Sequence, residues 1–165
     1  ALEPDAHGLT VLPFWSGERS TGWHASARGG IFGLQQQTKP FEIYRAVLES
    51  IAYRFALIAR ALDEVAPNAT IAASGNALRS SPVWLQIIAD VLGRPLQLGG
   101  PAEASSRGAA LLALEAVGKI ATIEEDQFAI DRVFEPDMSR HARYQEGLAR
   151  QEDLYNRLYD HKRHK

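Results

Sequence analysis

No cysteine occurs among the 165 residues, which excludes disulfides, thiolate metal sites and a cysteine nucleophile in one step. An excess of positive charge is missing as well: 18 Lys and Arg stand against 20 Asp and Glu, a formal net charge of −2. Contact with nucleic acid or an anionic membrane surface normally needs a basic stripe, so neither partner is expected. No apolar run approaches the roughly 18 residues of a membrane span, and the amino end lacks the basic-then-apolar layout of a secretory signal. A reducing cytoplasm fits these absences. There is no initiator methionine, and Ala1-Leu2-Glu3-Pro4-Asp5-Ala6-His7-Gly8 reads as a loop met midway, so a fragment of a longer protein is expected. His7 and His24 have no partners at metal-ligand spacing, and no metal site is expected around them. The short basic tail His161-Lys162-Arg163-His164-Lys165 reads as a solvated end.

What remains is a globular composition, 45% hydrophobic and 23% charged, with enough chain for one sizeable core. Leu9 to Phe14 reads as a strand, followed by a turn-rich stretch from Ser16 to Gly22 and a short extended piece from Gly29 to Leu34. Ile43, Val47, Ile51, Phe55, Ile58 and Leu62 fall three or four apart and predict a long helix over 40–65 with that stripe inward. A strand at Thr70-Ile71-Ala72-Ala73 follows, then a helix from Pro82 to Leu92 with Ser81 as N-cap, ended by Gly93 and Pro95. Pro95 to Leu98 reads as a strand and Gly99 to Ser106 as a loop. A helix over 107–117 follows, with Gly108, Ala109, Ala110 and Ala113 forming a face that permits close packing. Glu124-Glu125-Asp126 is polar, and a charged helix over 139–159 is expected to dock through Tyr144, Leu148, Tyr155 and Leu158. The alternation from Ile31 onward is that of an α/β domain with helices on both faces of a sheet.

The stretch Ala73-Ser74-Gly75-Asn76-Ala77-Leu78-Arg79-Ser80-Ser81-Pro82 carries the most information, because a strand runs through a tight turn into a helix start. Ligands of open α/β sheets sit in that crevice, where free N–H groups and the positive helix end suit phosphate. A plain conformational turn fits the same residues, so both readings stand on pattern alone. Gly75 allows the backbone close to a base or ribose, Asn76 offers an amide, and Ser74 and Ser80 either reach ribose or cap the helix. Gln86 and Asp90, one turn apart, read as structural, and Glu18 with Arg19 as a structural pair.

Three blocks, in order, resemble the carboxyl-terminal domain of the FGGY carbohydrate kinases, the group of gluconate, xylulose, ribulose, fucose, rhamnose and glycerol kinases. Leu12-Pro13-Phe14-Trp15-Ser16-Gly17-Glu18-Arg19 with Ala27-Arg28-Gly29 is similar to the family's first segment of this domain. Gly29-Gly30-Ile31-Phe32-Gly33-Leu34 and, after a spacer, Glu42-Ile43-Tyr44-Arg45-Ala46-Val47-Leu48-Glu49 resemble its second signature. Ala73 to Gly93, with Glu103 to Ala110 after it, resembles the adenosine-side block. Trp15 and Trp23 look closest to gluconate kinases, with xylulose kinases next. Asn76 replaces a second glycine and Arg107 an apolar residue common in the family.

The resemblance implies an actin-like, ribonuclease-H-like ATPase fold: α/β, a mixed sheet with helices on both faces, and the first strands of the domain lying before Ala1. It implies one carboxyl-terminal nucleotide-binding domain over 1–165, partial, with the 139–160 helix docked on it. It also implies ATP with Mg2+ as cofactor, held by Ser74, Gly75, Asn76, Ala77 and Ser80. A sugar or sugar-acid substrate and the catalytic base would belong to an amino-terminal domain, leaving no catalytic residue here and an inactive isolated chain. A sheet edge left open is expected to favour a homo-oligomer. Two rivals remain: a non-catalytic actin-like nucleotide-binding or interaction module, and a dinucleotide-binding domain, whose Gly-x-Gly-x-x-Gly turn is absent.

Overall fold

The computed structural model describes residues 3–100, 103–123 and 129–159. The polar run Glu124-Glu125-Asp126, the basic tail, and Pro101 and Ala102 lie outside the described residues. Strands β1 (Thr10–Leu12) and β2 (Gly30–Phe32) form an antiparallel pair of their own, with Val11 opposite Ile31. Helix α1 (Pro40–Asp63) follows, then β3 (Ile71–Ala73), a one-turn helix α2 (Asn76–Arg79), α3 (Pro82–Leu92), β4 (Leu96–Gly99), α4 (Ala104–Ala116), β5 (Ile130–Phe134) and α5 (Met138–Tyr159). The second sheet runs β3-β4-β5, with β3 and β4 parallel and β5 antiparallel to β4. The sheet is mixed, as expected. The extended piece at Ile31, read as the start of the same alternation, instead pairs with β1.

Register decides which side of the sheet is dry. Ile71, Leu96 and Phe134 stand in one row and Ala73, Leu98 and Arg132 in the next, all on one face. That face supplies Ala73, Leu96 and Phe134 to a core completed by Ala52, Tyr53 and Ala56 of α1, Leu85 to Val91 of α3, and Tyr144 and Leu148 of α5. On the opposite face Ala72 and Val133 are exposed. Helix α4 starts at Ala104 rather than Arg107, so Ser105 and Ser106 are helical. It leaves Leu112, Leu114 and the adjoining Val117 exposed, and its small face at Gly108 has nothing nearby.

Helix α1 forms where the periodicity placed it, but a different face is buried. Ala46, Glu49, Ser50, Ala52, Tyr53, Arg54 and Ala56 go inward, while Phe55 and Leu62 of the aliphatic stripe are exposed. Small residues let α3 and α5 approach closely, and dispersion over that close contact outweighs the wider aliphatic face. The forward half of the stripe, Ile43 and Val47, packs on Leu9, Val11 and Ile31. Its rear half, Phe55, Ile58 and Leu62, lines an apolar groove of about 320 Å3 beside β3. The outer edge of β3 has no paired strand among the described residues.

Several polar groups buried by this packing find partners across the chain. Glu49, fully buried, accepts from Arg45 Nε at 2.5 Å and from the Asp5 backbone N–H at 3.2 Å. Arg45 also donates to the Tyr144 hydroxyl at 2.7 Å. Arg150 holds both oxygens of Asp5 at 2.5 and 2.9 Å, and Gln151 donates to the carbonyls of Val11 and Ser50. Burial would lower the Arg45 pKa, yet the hydrogen bonds from its guanidinium to Glu49 and Tyr144 and the charge of Glu49 raise it overall. Hydrogen bonding to Asp5 raises that of Arg150. Helix α5 buries Tyr144 and Leu148, whereas Leu158 is exposed and Gln151 takes a buried place instead.

Tyr53 and Tyr144 separate two kinds of buried phenol. The Tyr53 hydroxyl has no hydrogen-bond partner among the described residues, whereas that of Tyr144 accepts from Arg45. Tyr53→Phe should therefore stay within about 0.5 kcal/mol of the parent in urea unfolding, and Tyr144→Phe should lose about 1–2 kcal/mol. Burial raises both phenols above the ordinary tyrosine pKa. As pH climbs past about 10 the unfolded chain then releases its tyrosine protons while the folded chain keeps them, and stability falls. The urea midpoint should decline between about pH 9 and 11, less steeply in Tyr53→Phe.

Candidate functional site

Strands β3 and β4 run side by side in the same direction, so the segments leaving their carboxyl ends face one crevice. The five residues singled out above lie at its β3 side. Ser74 is half-buried just past β3, and Gly75 precedes α2 with φ 89° and ψ 154°. That backbone conformation is essentially reserved for glycine. A Cβ placed on Gly75 would meet nothing within 4 Å, so the corner is open rather than plugged. Asn76 and Ala77 are exposed in the single turn of α2, and Ser80 is exposed at its end.

The serines behave differently from the sequence reading. Ser80 Oγ donates to the Ala77 carbonyl at 3.0 Å, closing α2 from behind. Ser81 occupies the N-cap position of α3, but its side chain makes no capping bond. The Trp84 N–H that such a cap would serve bonds instead to the Ser81 carbonyl at 3.0 Å, and the unforeseen α2 ends only two residues, Ser80 and Ser81, before α3. The helix start beside Gly75 is therefore that of α2, whose dipole spans one turn, and not that of α3.

Arg79 closes the crevice on the far side, a role that the sequence reading did not assign. Its guanidinium donates to the Gly100 carbonyl at 2.9 Å, to the Gly99 carbonyl at 3.4 Å and to Asp131 Oδ2 at 2.6 Å. Gly99 and Gly100 leave the end of β4, and Asp131 lies on β5, a strand whose Ile130-Asp131-Arg132-Val133-Phe134 order hides the alternation that would reveal it. Arg107 is exposed in the first turn of α4.

Residues weighed for other roles turn out structural. Asp90 is fully buried and accepts from Gln86 at 2.7 Å and from the Asp137 backbone N–H at 2.9 Å, fixing the passage from β5 to α5. Asp137 in turn holds the first turn of α5 through Ser139 and Arg140, and the Ser139 hydroxyl beside it lowers its pKa. Glu18 pairs not with Arg19, which is exposed, but with Arg54, and accepts from the Tyr155 hydroxyl at 2.5 Å. The Arg54 guanidinium lies over the rings of Phe14 and Tyr155, both 5.2 Å away. Trp15 and Trp23 stand exposed in the same region.

His7 is not isolated: it meets Glu49 at 3.0 Å, with Asp5 close enough for the three to hold one cation. Their hydrogen bonds argue against that use. The Leu9 backbone N–H donates to His7 Nδ1 at 3.0 Å, which puts the ring hydrogen on Nε2, pointing its donor at Glu49. Both Asp5 oxygens are taken by Arg150. Among the described residues no helix is long and apolar enough to cross a membrane.

Residues 1–117 match the FGGY family of carbohydrate kinases, C-terminal domain. The chain is 35% identical to a glycerol kinase of Aromatoleum aromaticum over 87% of its own length and 29% of the relative's. It is 36% identical to a gluconokinase of Bacillus licheniformis over 72% of its length and 23% of that protein. The crystal structure of xylulose kinase from Rhodospirillum rubrum superposes with a TM-score of 0.75 at 29% identity, covering 94% of this chain and 32% of that one. The chain thus spans less than a third of the curated relatives it matches.

Gly75 and Gly108 contrast backbone need with mere openness, since a Cβ has room at both. Gly75→Ala should cost about 1–3 kcal/mol through its positive φ. Gly108→Ala, inside a helix, should gain about 0.5–1 kcal/mol. Equal melting temperatures for the two variants would remove the conformational requirement at Gly75.

Proposed function

The chain belongs to the FGGY family of carbohydrate kinases, and from that premise we propose that it is the nucleotide-holding part of an enzyme that phosphorylates a sugar or sugar acid with ATP. One observation carries the reading: the open Gly75 corner at the carboxyl ends of two parallel strands, flanked by the exposed amide of Asn76. A purine nucleoside fits such a corner because the missing Cβ lets a flat ring approach the backbone, and an amide matches its donor and acceptor edge. The exposure of Asn76 and Ala77 supports the assignment of Ser74, Gly75, Asn76, Ala77 and Ser80 to the adenosine side, with Ser80 serving through its bond to Ala77.

Bound MgATP supplies the transferable phosphoryl group and neutralises its developing charge. This chain's own part is to fix the adenosine so that the phosphates point away from Gly75 and to shield that end from water. The acceptor hydroxyl and the base that takes its proton are assigned to the two thirds of the relatives that this chain does not span. Glycerol kinases and gluconokinases resemble the chain about equally, so the acceptor belongs to the broad class of polyhydroxy compounds, with a sugar acid favoured by Trp15 and Trp23. We place the reaction in the cytoplasm.

Titration calorimetry of the chain tests this directly. Saturable ADP binding is expected, lost in Gly75→Trp, with NAD giving no signal. Binding of NAD in place of ADP, or of neither, would reject the proposal.

A further inference from the structure

We propose that Arg79 is a positioning residue for the nucleotide: its guanidinium pins the Gly75 corner to the end of β4 and to β5, and so sets the shape that adenosine meets. The inference rests on the nucleotide reading of that corner and adds to it the part that keeps the corner rigid.

The need for such a part follows from α2. A helix of one turn is not stable by itself, because nucleation fixes several residues for very few hydrogen bonds. Residues Asn76–Arg79 include none that is buried, and only Leu78 packs against the main core. Leu78 anchors one side of the turn and leaves the other free to swing. Arg79 anchors that other side at three acceptors on two different segments. The Gly100 N–H bonds to the Ala129 carbonyl at 3.0 Å, so the acceptors themselves are tied to the start of β5. The corner after β3 and the loop after β4 are thereby held at one fixed separation.

Charge alone does not explain the arrangement. Arg79 and Asp131 keep 31% and 47% of their side chains exposed, and a pair so hydrated contributes little as an ion pair. The planar fork is what counts: it serves two carbonyls and a carboxylate at once, which a lysine ammonium on a flexible stem does not reproduce with the same geometry. Lysine should therefore substitute poorly.

The experiment compares adenosine and ADP on the unaltered chain and on Arg79→Ala, Arg79→Lys and Asp131→Ala, with melting temperatures alongside. Positioning predicts that Arg79→Ala weakens adenosine and ADP by the same factor, about tenfold. Arg79→Lys should recover only a small part, Asp131→Ala should lose less, and the melting temperature should hardly move. A loss confined to ADP would mean that the guanidinium meets phosphate directly and would overturn the proposal. Unchanged affinities in Arg79→Ala, or a loss that simply follows a fallen melting temperature, would overturn it too. Failure of the unaltered chain to bind either ligand would instead reject the nucleotide site itself.

Discussion

Burial of α3 between α1, α5 and the sheet sets the geometry around it. Leu85, Ile87, Ile88, Ala89, Asp90 and Val91 are all buried, so this helix is covered almost all round. At about 1.5–3 kcal/mol for each large aliphatic side chain removed from water, no other helix contributes as much per residue. The same helix is the crossover between β3 and β4, and its position makes those strands parallel and brings their carboxyl ends together. Its own limits are sharp: Pro82 begins it, and Gly93 ends it in a left-handed conformation against the His141 ring. The crevice is a by-product of packing α3.

Polar burial has a different task. Asp90, Glu49 and Glu18 place three carboxylates where water is scarce, and each is met by hydrogen-bond donors. Pairs of this kind stabilise little compared with apolar replacements, but losing one partner costs several kcal/mol. They also make the packing specific: Asp90 accepts only a chain that turns into α5 at Asp137, and Glu18 only one that brings Arg54 and Tyr155 together. Apolar contact would tolerate several orientations of α5. These bonds tolerate one.

Much of this was legible from residue order, and the failures have physical causes. Glycine and proline marked the limits of α3, and the helical spacing from Pro40 placed α1 to within two residues. The buried face of α1 escaped because burial rewarded alanines that admit a neighbour, while hydrophobic periodicity counts only the large aliphatics. Strand β5 escaped because it lies at a sheet edge with Ile130 to Val133 all exposed, so its alternation carries no buried apolar signal until Phe134. The turn residues of the crevice were readable, since the backbone itself demands Gly75. Arg79 was not, because its partners lie 20, 21 and 52 positions away and nothing local announces them.

Helix α5 reaches back to the first described residues: Arg150 to Asp5, Gln151 to Val11, Tyr155 to Glu18 and Tyr159 to Arg28. Those pairs are separated by 131 to 145 positions. Closing so long a loop is entropically slow and is rewarded only at the end. On a ribosome the β1–β2 hairpin therefore emerges long before the residues that seal it, and must wait, partly uncovered, until Tyr159 has left the exit tunnel.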